Sequence, residues 1–171
     1  MVATHEVFNQ SVPLEGHDAA GLDLALLEGV EREGGASHLG DLGRLGTLAG
    51  DPEWIHRGEL ANTFTPELKP FDRFGHRIDH VEYHPAYHDL MGVAVAEGLA
   101  GGPWADDRAG AHVGRAAKFA VWTQVEAGHG CPISMTYSIV PALRAAGGLD
   151  AEWEPLLTSR TYDPDQRHAL G

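Results

Sequence analysis

One stretch of the sequence changes its periodicity half-way along: RIDHVEYHPAYHDLMGVAV, residues 77–95. In its first half, Val81 and Tyr83 alternate with polar side chains, which is the pattern of a β-strand. Asp and Gly residues stand upstream at turn positions. We therefore predict a β-hairpin over residues 67–84 that turns at Arg73–Gly75.

The second half of the same stretch is helical in pattern. His84-Pro85 marks the boundary, because proline is favoured at the first position of a helix. The predicted helix continues to Gly101-Gly102-Pro103, and its apolar side chains recur on one face: Tyr87, Leu90, Met91, Ala94 and Val95.

Three further helices are predicted before the hairpin. The first begins at Asp18 and ends at Gly34-Gly35. The second covers residues 39–48, where Leu-Gly recurs every three residues. Each interior glycine weakens a helix by about 1 kcal/mol relative to alanine, so we attribute these glycines to the close approach of a neighbouring helix. The third begins at Asp51-Pro52, a cap followed by a first-turn proline.

Three more helices are predicted after the hairpin's helix. Asp106 or Asp107 caps one that runs to Gly128, another begins at Pro132, and a short one begins at Asp150. The sum of six or seven helices and one hairpin predicts a mainly α helical bundle.

The length of 171 residues suits a single domain. We divide it into an extended N-terminal segment at 1–17, a helical domain at 18–159 and a polar tail at 160–171. The chain has 12 Lys+Arg and 25 Asp+Glu, a formal net charge of −13. This charge argues against binding of nucleic acid or of an anionic membrane through a broad basic face.

The single cysteine, Cys131, excludes an intrachain disulfide and favours a reducing cytoplasm. The first residues lack the pattern of a signal peptide, and no apolar run is long enough to span a membrane. Cys131 lies between apolar segments, so we expect a small buried side chain there.

Four histidines recur every four residues: His76, His80, His84 and His88. Pro85 prevents one continuous helix from carrying them all. A remaining hypothesis is a metal site formed by His80, Glu82 and His84 on the strand with His88 one helical turn further on. The alternative is a polar, partly exposed hairpin face with His84 near a helix N-cap, and we expect no metal.

The sequence lacks the short motifs that mark a nucleophilic active site or a nucleotide-binding site. It contains no Gly-x-Ser-x-Gly elbow, no Gly-x-Gly-x-x-Gly fingerprint and no Gly-x-x-x-x-Gly-Lys-[Ser/Thr] loop. We therefore expect no catalytic residues and no cofactor-binding residues in this chain.

Several linked stretches carry a family resemblance. They are HEVFNQ (5–10), VEREG (30–34), GELAN (58–62), VEYHPAYHDLM (81–91), RAAKF (115–119) and QVEAGHGCPISMT (124–136). In this order and spacing the chain resembles the N-terminal α-helical domain of the AidB-type acyl-CoA dehydrogenases, the adaptive-response branch linked to alkylation damage.

The resemblance implies one part of a flavoprotein. FAD and the catalytic carboxylate are expected in a middle β-domain and a C-terminal helical part, and the complete assembly is expected to be a tetramer. The complete protein is then an oxidoreductase acting on CH-CH groups. This chain is expected to be a truncated or split product that is inactive alone, and any DNA binding of the family is expected outside it.

The resemblance also implies a role for the segment after the break at Gly128–Pro132. Matched residue by residue, Met135, Thr136 and Ile139 would form part of the wall of the acyl pocket. The alternative for these three residues is ordinary core packing. A second hypothesis for the whole chain is a stand-alone interaction module, or a partner subunit, that uses the same helical surface.

Overall fold

The computed structural model describes residues 4–148 and 150–165. The described part contains seven α-helices and one two-stranded antiparallel sheet, so the predicted mainly α fold with one hairpin is confirmed. The elements are α1 (Leu24–Arg32), α2 (Leu39–Ala49), α3 (Pro52–Thr63), β1 (Glu67–Phe71), β2 (Arg77–Glu82), α4 (Pro85–Ala96), α5 (Ala111–Trp122), α6 (Gly130–Ala146) and α7 (Asp150–Leu157). Short 3₁₀ turns lie at Ala36–His38 and Gly102–Trp104.

Of the three helix starts predicted at a proline, those of α3 and α4 lie where the sequence predicts them, whereas α6 begins at Gly130 and not at Pro132. The Asp51 carboxylate accepts a hydrogen bond from the backbone N–H of Glu53 at 2.8 Å, and Pro52 follows as the first helical residue of α3. At the start of α4, Nδ1 of His84 accepts from the N–H of Ala86 at 3.2 Å. Each cap satisfies a backbone donor that the first turn of a helix leaves free.

Two other helix starts differ from prediction. Asp18 caps a tight turn instead, accepting from the N–H groups of Ala20 and Gly21, and α1 begins only after Asp23. Asp106 binds the guanidinium of Arg108. The helix after it, α5, begins at Ala111, following Gly110 in the left-handed conformation. In both cases the carboxylate accepts hydrogen bonds from donors close to it in sequence and therefore does not cap the predicted helix.

Helices α2 and α5 pack together, α3 packs on α4, and Trp122 lies completely buried among them. Its ring meets that of Trp54 edge-on, with the ring centroids 5.3 Å apart. Its Nε1 donates a hydrogen bond to the carbonyl oxygen of Leu90 at 3.2 Å. The indole thus fills the core while its one polar atom stays satisfied. Other fully buried side chains around it include Leu42, Leu45, Met91, Val121 and Ile133.

The hairpin pairs Leu68 with Val81, and its register shifts by one residue nearer the turn. At the shift, β2 carries an extra residue opposite Pro70, and Asp79 adopts a left-handed φ of 46°. Proline has no N–H to donate, so a bulge opposite it costs little pairing. Every residue of β2 is exposed, so the hairpin lies outside the core.

The segment after α7 packs back onto the helices. Arg160 lies 3.6 Å from the carboxylate of Asp106, and Tyr162 contacts the core. The Tyr162 hydroxyl and Nδ1 of His88 share a hydrogen bond of 2.7 Å. Residues 1–3 of the predicted N-terminal segment and 166–171 of the predicted tail lie outside the described residues. In the described part of the chain, no helix is both long and apolar enough to cross a bilayer.

The glycines of α2 have different surroundings. A Cβ at Gly46 would lie 2.5 Å from Cβ and 2.7 Å from N of Ala20, so this glycine does permit a close approach. The approaching chain is the turn before α1, not a helix, and a Cβ at Gly40 or Gly43 would meet nothing within 4 Å. The prediction of a neighbouring helix is therefore wrong.

Alanine at Gly46 and alanine at Gly43 should have opposite effects on stability. We expect Gly46→Ala to lower the free energy of unfolding by about 1–3 kcal/mol, because the backbone of Ala20 must move. Gly43→Ala should raise it by up to about 1 kcal/mol, because alanine is the better helix former and its methyl group enters open space. Urea unfolding of both variants measures the difference, and equal effects would contradict the packing described for α2.

Candidate functional site

The three residues predicted for the pocket wall lie on α6 but do not share one face. Met135 and Ile139 are one turn apart and exposed, at 66% and 40% of their accessible surface. Thr136 is buried, with 7% of its surface exposed. Cys131, one turn before Met135, is exposed, so its predicted burial is wrong. Met135 and Ile139 form an apolar outer face on α6, whereas Thr136 faces the core.

The start of α6 is built around the carboxylate of Glu126. This carboxylate accepts hydrogen bonds from the N–H of Gly128 at 2.5 Å and from the N–H of His129 at 2.9 Å. It also contacts Nδ1 of the His129 ring at 3.0 Å. An acid that accepts backbone donors just before a helix fixes the direction in which that helix leaves.

The protonation of this pair follows from its geometry. Burial works to raise the pKa of Glu126, but the hydrogen bonds from His129 and Gly128 hold it below its usual range. Burial lowers the pKa of His129 more than the Glu126 carboxylate raises it. The ring is therefore neutral at pH 7, and Nδ1 carries its proton because a carboxylate can only accept. The other nitrogen, Nε2, is buried without a hydrogen-bond partner among the described residues.

A groove of about 410 Å³ opens beside this pair, and we call it the aromatic groove. Its walls are the end of α3 and the following loop, the junction of β2 and α4, and the connection from α5 to α6. Its lining residues are Ala61, Asn62, Phe64, Thr65, Pro66, Tyr83, His84, Tyr87, Glu126, Gly128, His129 and Pro132.

The rings of the aromatic groove form two stacks. Tyr83 and Tyr87 lie nearly parallel with centroids 4.3 Å apart, and Phe64 stacks on His84 at 4.9 Å. Burial, together with the nearby Tyr83 phenol and Glu126 carboxylate, raises the pKa of Tyr87 to about 12. Tyr87 is therefore a neutral phenol at physiological pH. The groove thus combines aromatic surface with one carboxylate.

The four residues of the metal hypothesis each have other surroundings. His84 caps α4, and His88 bonds to Tyr162. His80 and Glu82 lie on the exposed strand β2, where Glu82 is 3.6 Å from the ammonium of Lys69. Within residues 4–148 and 150–165, no group of three or more His, Cys, Asp or Glu side chains is placed to hold a metal ion.

Comparison with known proteins places this geometry in a family. The family model described as "Adaptive response protein AidB N-terminal domain" matches residues 9–164. The chain belongs to this family. A curated relative, the AidB protein of Escherichia coli (strain K12), which carries the name of an acyl-CoA dehydrogenase, is 40% identical over 162 residues. That match covers 94% of this chain but only 30% of the relative, so the AidB N-terminal domain spans about a third of its length.

Two solved structures share the fold of this AidB N-terminal domain. The apo form of Bd2924 superposes with a TM-score of 0.80 at 27% identity, covering 91% of this chain and 32% of its own. The crystal structure of Caenorhabditis elegans ACDH-11 in complex with C11-CoA gives a TM-score of 0.75 at 21% identity, covering 94% of this chain and 29% of its own. The second match establishes the fold alone.

The Glu126–His129 pair and the aromatic groove were missed at the sequence level. The available signal was the Glu-Ala-Gly-His spacing, in which an acid stands three residues before a histidine at a helix start. The rings could not be joined to this pair from the sequence, because they come from segments about 40 to 60 residues earlier in the chain.

The free energy of unfolding of the AidB N-terminal domain should decrease as the pH is lowered below about 6.5, which is the ordinary pKa of histidine. Between that value and the lower pKa of folded His129, the unfolded chain binds a proton that the folded chain does not. Glu126 adds a further loss as pH falls below 4.5 through its own lowered pKa.

Unfolding midpoints measured from pH 7.5 to pH 5 test this. His129→Gln should flatten the pH dependence, whereas His56→Gln, at an exposed position beside Glu59, should retain the loss of stability that His129 causes. If His129→Gln and the native sequence gave parallel curves, the assignment of a neutral buried His129 would be wrong.

Proposed function

We propose that this AidB N-terminal domain supplies one wall of an acyl-CoA site in a complete flavoprotein of the acyl-CoA dehydrogenase class. The wall is the outer face of α6 with Met135 and Ile139, and Thr136 supports it from the core side. The observation that carries this proposal is the exposure of two apolar side chains, one turn apart, on a helix whose opposite face is buried.

Exposed apolar surface of this kind is typical of a contact that the isolated chain leaves uncovered. Met135 is also adaptable in shape, which suits a surface that meets flexible acyl chains. The structural relative ACDH-11 was solved with C11-CoA, which supports an acyl-CoA thioester as the ligand class.

We further propose that FAD binds to parts of the complete protein outside this chain. The aromatic groove, at about 410 Å³, does not fit this cofactor. Among the described residues that line it, Glu126 alone carries a charge, which repels a pyrophosphate, and no Lys or Arg is present. The Gly128 and His129 N–H groups are already bonded to Glu126 and cannot bind phosphate oxygens.

The flavin-binding and C-terminal helical parts of the same protein are then the partners of this domain, in an assembly that we propose to be tetrameric. The charge of −13 opposes a nucleic-acid surface on this domain. The single cysteine supports a cytoplasmic location. A stand-alone interaction module that uses the outer face of α6 is the competing function, since the same exposed side chains could meet a protein partner.

A charge on the outer face of α6 should affect acyl-CoA binding without affecting the fold. In the complete protein, we expect Ile139→Glu to raise KM for a long-chain acyl-CoA at least about tenfold, because a carboxylate must be desolvated against the acyl chain. Leu24→Glu is the matched control, since Leu24 is an exposed apolar residue at the start of α1.

Both variants of the chain should unfold within about 0.5 kcal/mol of the native sequence. An unchanged KM for Ile139→Glu, together with loss of a co-purifying protein partner, would favour the interaction module. Stoichiometric flavin in the purified chain alone would contradict the placement of FAD outside it.

A further inference from the structure

We propose that the aromatic groove is a binding site for a compact organic cation, such as a quaternary ammonium group, held by Phe64, Tyr83 and Tyr87 beside the carboxylate of Glu126. The inference does not rest on the acyl-CoA proposal, because the two sites use different residues. Three observations support it: the rings, the charge and the size of the groove.

The rings provide a surface that attracts cations. The face of an aromatic ring carries partial negative charge, and a cation within about 6 Å of the ring centroid is attracted to it. Phe64, Tyr83 and Tyr87 line the groove together with His84. Tyr87 is packed against the core and stacks on Tyr83, so these two rings are held in place before a ligand arrives. Preorganised rings lose little conformational entropy on binding.

The charge of the groove is negative and comes from the carboxylate of Glu126. The side chain of Glu126 is only 8% exposed, and its neighbour His129 is a neutral ring. Hydrogen bonds from N–H groups orient this carboxylate but leave its full negative charge. No Lys or Arg is among the described residues that line the groove, so the charge is not neutralised there. The net charge of −13 on the chain adds to the attraction for cations.

The size of the groove suits a small molecule. A volume of about 410 Å³ lies at the lower end of the range of small-molecule sites, roughly 300–1,000 Å³. A trimethylammonium head group therefore fits with space for its substituent. Phe64 is 53% exposed, so a ligand can reach the groove from solvent.

Choline and its neutral isostere 3,3-dimethyl-1-butanol are the probes that test the proposal. They have nearly the same shape and differ in the charge of the head group. Calorimetric titration of the full chain should show saturable binding of choline, with the neutral isostere at least about tenfold weaker. Equal affinity for the two probes would show an apolar pocket, and absence of saturable choline binding would also overturn the proposal.

Two leucine substitutions distinguish choline binding in the groove from choline binding at other exposed rings. Phe64→Leu removes a ring of the groove and should weaken choline binding about two- to fivefold. Phe74→Leu makes the same change at an exposed ring on the hairpin turn and should leave the affinity unchanged. Glu126→Gln should weaken choline binding more than binding of the isostere, with the circular dichroism spectrum as the check on folding. Equal loss in Phe64→Leu and Phe74→Leu would overturn the assignment of the site.

Discussion

The carboxylate of Glu126 fixes the break between α5 and α6, and both candidate sites depend on that break. Its bonds to Gly128 and His129 set the direction in which α6 leaves. A helix has one direction, so fixing its first turn fixes which side chains enter the core and which remain outside. Ile133 and Val140 then lie in the interior, and Met135 lies on the outer face. The same carboxylate provides the charge of the aromatic groove.

Trp122, which is fully buried, connects the Glu126–His129 pair to the centre of the core. The ring of Trp122 meets the ring of His129 edge-on, at a centroid distance of 6.3 Å. On its other sides it contacts Trp54 and donates to the carbonyl oxygen of Leu90. The packing of the helices around Trp122 thus also buries His129, and this burial lowers the pKa of His129 and keeps its ring neutral. The Nε2 atom of His129 is buried without a hydrogen-bond partner among the residues that the structure describes, and a polar atom left in that state costs roughly 1–3 kcal/mol.

The sequence was sufficient for features that depend on neighbouring residues. The caps at Asp51 and His84 were predictable because proline, the following residue, restricts the backbone at the same point. Asp18 and Asp106 were misassigned because each binds donors in its own turn, and a carboxylate looks the same in a sequence whichever donor it meets. The hairpin, the helices and the fold class followed from periodicity, which is also local.

The outer face of α6 and the aromatic groove needed the fold, for two reasons. Residues 135, 136 and 139 were predicted as one wall, but residues one apart on a helix point about 100° apart, so Thr136 turns to the core when Met135 does not. The groove joins α3, the start of α4 and the start of α6, and no local pattern relates these segments. Only the resemblance to a family pointed to α6, and nothing in the sequence joined Glu126 to the rings.

The free energy of folding gives a physical reason to treat the outer face of α6 as a contact surface. An apolar side chain contributes to stability in proportion to the area that folding removes from water. Met135 remains mostly exposed after folding, so its apolar character contributes little to the stability of this domain. A polar residue there would fold equally well and would reduce the tendency to aggregate. The proposal that another part of the complete protein covers this face gives its apolar character a physical reason that the fold of this chain does not supply.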